Sequence, residues 1–142
     1  MATLHKHFSL DNESFAYEAL QAASYTHCGG AELAEAISVC SRIPSGEEEI
    51  WLREWQLAGD RAVQAAKASL TKNDRRGAQH AFECASNYYR RAEFYRRDVF
   101  EDEPISKKLI GLSTEIFYSA IDLTLFDGSL FLFQFYNTQL TV

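Results

Sequence analysis

A serine that attacks a carbonyl group sits on a sharp strand–turn–helix bend, which needs small residues around it in the pattern G-x-S-x-G. The nearest approach in this chain is Gly111-Leu112-Ser113-Thr114-Glu115. Glu115 stands where the second glycine belongs, and the segment reads as helix, so Ser113 is not expected to be a nucleophile and no catalytic residue is assigned. The histidines are His5, His7, His27 and His80. His27-Cys28 beside Gly29 joins two metal-ligand types, but no second ligand pair follows at zinc spacing. A loop histidine beside a buried thiol is the expected role, with no metal and no cofactor. Cys28, Cys40 and Cys84 form no CxxC pair, and Met1 to Phe8 lacks the apolar core of a signal peptide. Reduced thiols in a cytoplasmic protein are the expectation.

The run Tyr88-Tyr89-Arg90-Arg91-Ala92-Glu93-Phe94-Tyr95-Arg96-Arg97 interleaves aromatic rings with guanidinium groups. Such a run can stack bases or clamp anions. On a helix, however, Tyr88, Arg91 and Tyr95 share one side while Tyr89 and Ala92 face a core, and arginines in the last turns complement the helix dipole. The net charge of −6 over 142 residues also opposes nucleic-acid binding. That charge is uneven: residues 1–50 carry net −6, residues 51–100 net +4 and residues 101–142 net −4. A basic middle between acidic flanks fits internal pairing or an interface. No run of about 18 uncharged apolar residues is present, so no membrane-spanning helix is expected.

Five helices must position these groups. Asp11-Asn12-Glu13-Ser14 can cap a first helix, with Phe15, Ala19, Ala22 and Ala23 on its apolar face and Gly29-Gly30 as its stop. Leu33, Ile37 and Cys40 mark a short second helix, ended by Pro44-Ser45-Gly46. Ser45 can cap the third, with Glu47, Glu48 and Glu49 in its first turn and one face made of Trp51, Trp55, Ala58, Ala62, Ala65 and Ser69. Thr71-Lys72-Asn73-Asp74 breaks it. Ala78, Ala81, Phe82, Ala85, Tyr89 and Ala92 form the small-residue face of the fourth. Helices three and four should pair as a long antiparallel hairpin that brings Trp51 and Trp55 near Tyr89 to Tyr95. After the acidic connector from Asp98 to Pro104, Leu109, Leu112, Ile116, Ala120 and Leu123 give the face of a fifth helix, which Asp127-Gly128 ends.

The period then changes. Leu130-Phe131-Leu132-Phe133-Gln134-Phe135-Tyr136 reads as a strand buried on both sides, followed by a turn at Asn137-Thr138-Gln139. The fold class expected is mainly α: a five-helix unit over 1–127, then a short β segment over 128–142 that begins a sheet. Trp55-Gln56-Leu57-Ala58-Gly59 is similar to the opening of a tetratricopeptide unit, although no period near 34 residues recurs. A stand-alone, tetratricopeptide-like interaction module is therefore the alternative reading.

Several segments follow one another in a specific order. They are Phe15-x3-Ala19-x3-Ala23, Gly29-Gly30-x-Glu32, Ser41-Arg42-Ile43-Pro44-x-Gly46, Glu49-x-Trp51-x3-Trp55-x3-Gly59-Asp60-Arg61 and Ala85-Ser86-Asn87-Tyr88-Tyr89-Arg90-Arg91-Ala92-Glu93-Phe94. This succession resembles the N-terminal helical cap of α/β-hydrolases that include 2,6-dihydroxypseudooxynicotine hydrolase and fungal hydrolases of polyketide-type pigments and secondary metabolites. Ser113, Phe117 and Ala120-Ile121-Asp122-Leu123 resemble the later cap helix, and Phe131 to Val142 the first strands of the sheet. The resemblance implies a serine hydrolase whose nucleophile, acid, histidine and oxyanion-hole donors lie downstream of the residues matched here. This chain alone is then inactive: a cap truncated before the catalytic domain. The complete protein would act on a small carbonyl-containing, polyketide-like or aromatic molecule. It would not bind nucleic acid or membrane, and its cap would contribute subunit contacts, with a homodimer as one such assembly. Trp51, Trp55, Tyr88 and Tyr95 are the candidate substrate contacts, against the heavier expectation that they pack the core and the hairpin.

Overall fold

The computed structural model describes residues 12–97 and 100–124. Five α-helices follow in order: α1 Glu13–Ser24, α2 Leu33–Ser41, α3 Glu48–Thr71, α4 Arg75–Glu93 and α5 Glu103–Thr124. Single 3-10 turns at Tyr25–Cys28, Phe94–Arg96 and Phe100–Asp102 connect them. No strand occurs among the described residues. The expected β segment and the 127/128 boundary lie outside those residues.

Local chemistry sets the ends. The Asn12 side chain accepts from the Phe15 amide and caps α1, and Gly29, at φ +88°, turns the chain out of the 3-10 turn that follows. Asp74 caps α4 by accepting from the Gly77 amide, directly after Asn73 takes a left-handed conformation. Pro104 sits in the first turn of α5, where its missing N–H costs nothing.

α3 and α4 form the antiparallel hairpin, and α5 lies antiparallel along the other side of α4. The α3–α4 seam is lined by Ala58, Ala62 and Ala66 facing Ala78, Ala85 and Ala92, all buried. Small side chains let the two backbones approach. At Gly59 there is no room for a side chain: a Cβ there would stand 2.8 Å from the Tyr89 ring. Tyr89 in turn donates to Asp60 Oδ1 at 2.6 Å. α1 and α2 close the end of the hairpin that carries the tryptophans.

Three sequence expectations are corrected. Leu33 and Ile37 are 47% and 40% exposed, and α2 buries Ala36, Val39 and Cys40 instead. A nine-residue helix with apolar residues on two offset stripes does not reveal which stripe faces inward. Ser45 does not cap α3: Gly46, at φ +81°, turns the chain, and Glu47 takes the cap position without a side-chain bond. Ala65 is exposed and Ala66 is buried, because a 3.6-residue repeat drifts around a seven-turn helix.

The uneven charge resolves into internal pairs. Arg96 bonds Glu49 and Asp102 at 2.7 and 2.9 Å, Arg91 bonds Glu18 at 2.7 Å, and Arg42 bonds Glu54 at 2.7 Å. Glu93, fully buried, accepts from Arg90, Arg97 and Ser106. Arg91 and Arg96 are thus neutralised by acids from the flanking segments, and Arg90 and Arg97 by Glu93 of α4 itself.

Candidate functional site

α4 has two working sides. On the α3 side, the four aromatic residues singled out in the sequence come together. Trp51 lies 5.7 Å from Trp55 and 5.3 Å from Tyr95, measured between ring centroids, and Trp55 lies 5.6 Å from Tyr88. Phe15 from α1 completes the group, 4.8 Å from Trp51 and 4.9 Å from Tyr95. Tilted and edge-on pairs at these distances suit the ring quadrupoles. Trp51, Trp55 and Tyr88 have no exposed surface, and Tyr95 is partly buried. The Trp51 indole donates to the Arg91 carbonyl at 2.8 Å, Tyr88 accepts from the Glu32 amide, and Tyr95 shares a bond with Ser14. Burial pushes the Tyr88 and Tyr89 hydroxyls above the ordinary tyrosine range. In this structure the cluster is a sealed core in which the rings face one another.

On the α5 side, two serines clasp the helices. Ser113 Oγ donates to the Ser86 carbonyl and Ser86 Oγ donates to the Ser113 carbonyl, both at 2.8 Å. Ser113 is buried in the middle of α5. Its hydroxyl proton is engaged by a backbone carbonyl and its hydroxyl neighbour is another serine, so it lacks the hydrogen-bonded base that nucleophilic activation needs.

Beside that clasp lies an open cleft of about 370 Å³, within the size range of small-molecule sites. Its walls include Tyr25 and Cys28 from the first 3-10 turn, Asn87 and Arg91 from α4, and Ser113 and Phe117 from α5. Asn87 positions the turn. Its amide donates to Ala22 O and Gly30 O, at 3.2 and 2.9 Å, and so ties the residues on either side of the turn to α4. Arg91 is anchored from behind by Glu18. Burial raises the Glu18 carboxyl above its ordinary value against the pull of Arg91, and burial lowers Arg91.

The sequence does not disclose this cleft. Tyr25 and Cys28 stand some ninety positions from Phe117, and only packing joins them. The one available signal is Asn87, an amide flanked by Ser86 and Tyr88 on a helix with a small-residue apolar face.

The remaining chemistry-bearing groups are engaged locally. His27 Nδ1 lies 2.5 Å from the Ser24 carbonyl, and Cys28, expected to be buried, is exposed and donates to the Tyr25 carbonyl. His80 Nε2 meets Glu32 at 2.6 Å and stands 3.8 Å from Cys84. Burial pushes the Cys84 and Cys40 thiols up to about 12, far from the thiolate that nucleophilic chemistry requires. Among the described residues no group of three or more His, Cys, Asp or Glu is placed to hold a metal ion, and no helix is long and apolar enough to cross a membrane.

No family model matches the chain, and no solved structure matches it significantly. Curated proteins do. The hydrolase acrC of Aspergillus aculeatus is 30% identical over 112 residues, which is 79% of this chain and 26% of that protein. The alpha/beta hydrolase psoB of Aspergillus fumigatus is 33% identical over 94 residues, 66% of this chain and 21% of its own length. The 20-hydroxy-prefusarin hydrolase of Gibberella moniliformis is 34% identical over 91 residues, 64% of this chain and 21% of its own length. The chain thus spans about a quarter of the length of the relatives it matches. Over most of its own residues it is a homologue of fungal hydrolases, a named alpha/beta hydrolase among them.

Proposed function

We propose that this chain serves as the helical lid of an α/β-hydrolase and supplies pocket wall, not chemistry. The substrate of the complete hydrolase is a small carbonyl-containing molecule of polyketide-like or aromatic type. Residues 1–127 are the lid and residues 128–142 begin the sheet that bears the catalytic set. The complete enzyme works in the cytoplasm, engages neither nucleic acid nor membrane, and uses the lid for its homodimer contact.

One observation carries this reading. The match to named hydrolases covers up to four fifths of this chain but about a quarter of theirs, and the one serine with any resemblance to a nucleophile elbow is locked into an interhelical clasp. A serine without an adjacent base and an oxyanion hole lacks the terms that lower an acyl-transfer barrier. The test is an assay of the purified 142-residue chain with 4-nitrophenyl acetate and butyrate. The expected rate equals that of buffer, and Ser113→Ala leaves it unchanged. A turnover that disappears in Ser113→Ala contradicts the lid reading.

A further inference from the structure

The sealed cluster and the cleft each hold a buried donor without a partner, but the Trp55 indole Nε1 is walled in by the core, whereas the cleft is open. Both amide protons of Asn87 are engaged by the Ala22 and Gly30 carbonyls. The hydroxyl protons of Ser86 and Ser113 are engaged by each other's backbone carbonyls. Arg91 is the exception. It is nine-tenths buried and lines the cleft, yet its bonds to Glu18 and Gln21 both leave from Nη1. Its Nε is buried with no hydrogen-bond partner among the described residues. A guanidinium is a planar fork of five N–H donors, and its unmatched side calls for a planar acceptor. Glu83, the acid among the lining residues, is tied to Gln79 and sits against Gly29.

The aromatic lining of the cleft is also distinctive. Tyr25 and Phe117 line it while remaining 45% and 49% exposed, although both are large rings on an otherwise small-residue scaffold. A buried cation and two exposed rings lining one cleft describe a ligand with a ring and an oxygen acceptor.

We infer that this cleft binds a small aromatic carboxylate, with its ring against Tyr25 and Phe117 and its carboxylate toward Arg91. A carboxylic acid is what hydrolysis of an ester, an amide or an acyl carbon–carbon bond releases, as water adds to the acyl carbon and the leaving group takes the proton. The cleft therefore holds the acid end of the reaction. That role rests on the lid reading, whereas the binding itself does not.

Cys28 provides the readout. It lines the cleft and is exposed, whereas Cys40 and Cys84 are buried. Alkylation by iodoacetamide is followed on the native chain with 2-naphthoate, with acetate, and without either. The expected result is that 2-naphthoate at low millimolar concentration slows Cys28 labelling about threefold or more and acetate does not, since the ring supplies contacts that acetate lacks. In Phe117→Ala, with unchanged helical circular dichroism, affinity falls roughly threefold to tenfold. Tyr25→Ala, from the first 3-10 turn, serves as the second variant should Phe117→Ala lose its helicity. Equal labelling with naphthoate and with acetate overturns the site, as does undiminished protection in the folded variant. Neither outcome bears on hydrolysis, so failure of the cleft and failure of the lid are read separately: the first in thiol labelling, the second in ester turnover.

Discussion

The two sides of α4 are built from the same helix and do opposite things. Toward α3 it presents Ala85, Tyr88, Tyr89 and Ala92 to a seam in which little polar capacity faces outward and the rings of Trp51 and Trp55 have no exposed surface. Toward α5 and the first turn it presents Ser86, Asn87 and Arg91 to a space that remains open. Aromatic residues alone therefore do not mark a binding surface. Trp51 touches rings and a backbone carbonyl, whereas Phe117, on the other side, is half in solvent. Recognition capacity lies where buried polar groups are incompletely matched beside exposed rings.

Truncating a residue on each side gives the largest expected contrast. Trp51→Ala removes a filled volume, three ring contacts and the bond to Arg91, and should cost about 3–5 kcal/mol in urea unfolding. Phe117→Ala should stay within about 0.5 kcal/mol, since that ring is half-exposed. Equal losses at the two positions would erase the distinction between the sides.

Two glycines sharpen it further. Gly59→Ala places a methyl group 2.8 Å from the Tyr89 ring, and overpacking should cost about 1–3 kcal/mol, more than the gain in helix propensity. Gly111→Ala meets nothing within 4 Å and should stabilise by about 0.5–1 kcal/mol. Thermal midpoints moving in opposite directions would support the packing described, and a stabilised Gly59→Ala would mean that the α3–α4 seam is looser than it looks.

The smallest contrast is in pH dependence. The hydrogen bond from Arg42, helped by Arg53 and opposed by burial, holds the Glu54 carboxyl below its ordinary value of 4.5. Its contribution is complete above pH 4.5 and is lost as pH falls through the lowered folded value. Glu18, raised above 4.5 by burial, acts with the reverse sign: its contribution is complete below 4.5 and is lost as pH rises through the raised value. Glu54→Gln should therefore flatten the acid limb of a stability–pH curve, and Glu18→Gln should remove a loss that appears above pH 4.5. Superimposable curves for both variants and the native chain would contradict these assignments.

Much of the scaffold is legible in the sequence, because α3 and α4 repeat small and aromatic residues over five to seven turns and errors average out. The hairpin register is legible too: Trp51 and Trp55 do reach Tyr88 and Tyr95. Where a helix is short the pattern fails, as at α2, since Leu33 and Ile37 are as apolar as Val39 and Cys40. The cleft is illegible for another reason. Its walls come from a 3-10 turn and two helices, and its character depends on which donors are already engaged by backbone carbonyls, which spacing does not encode.

The most direct test of the account is a 1H–15N NMR titration of the native chain with 2-naphthoate. The account predicts that backbone amides of Cys28, Asn87, Ser113 and Phe117 shift while the indole N–H signals of Trp51 and Trp55 stay in place. Shifts of the two indoles with still amides around the cleft would contradict it, and would make the aromatic cluster the surface that meets the ligand.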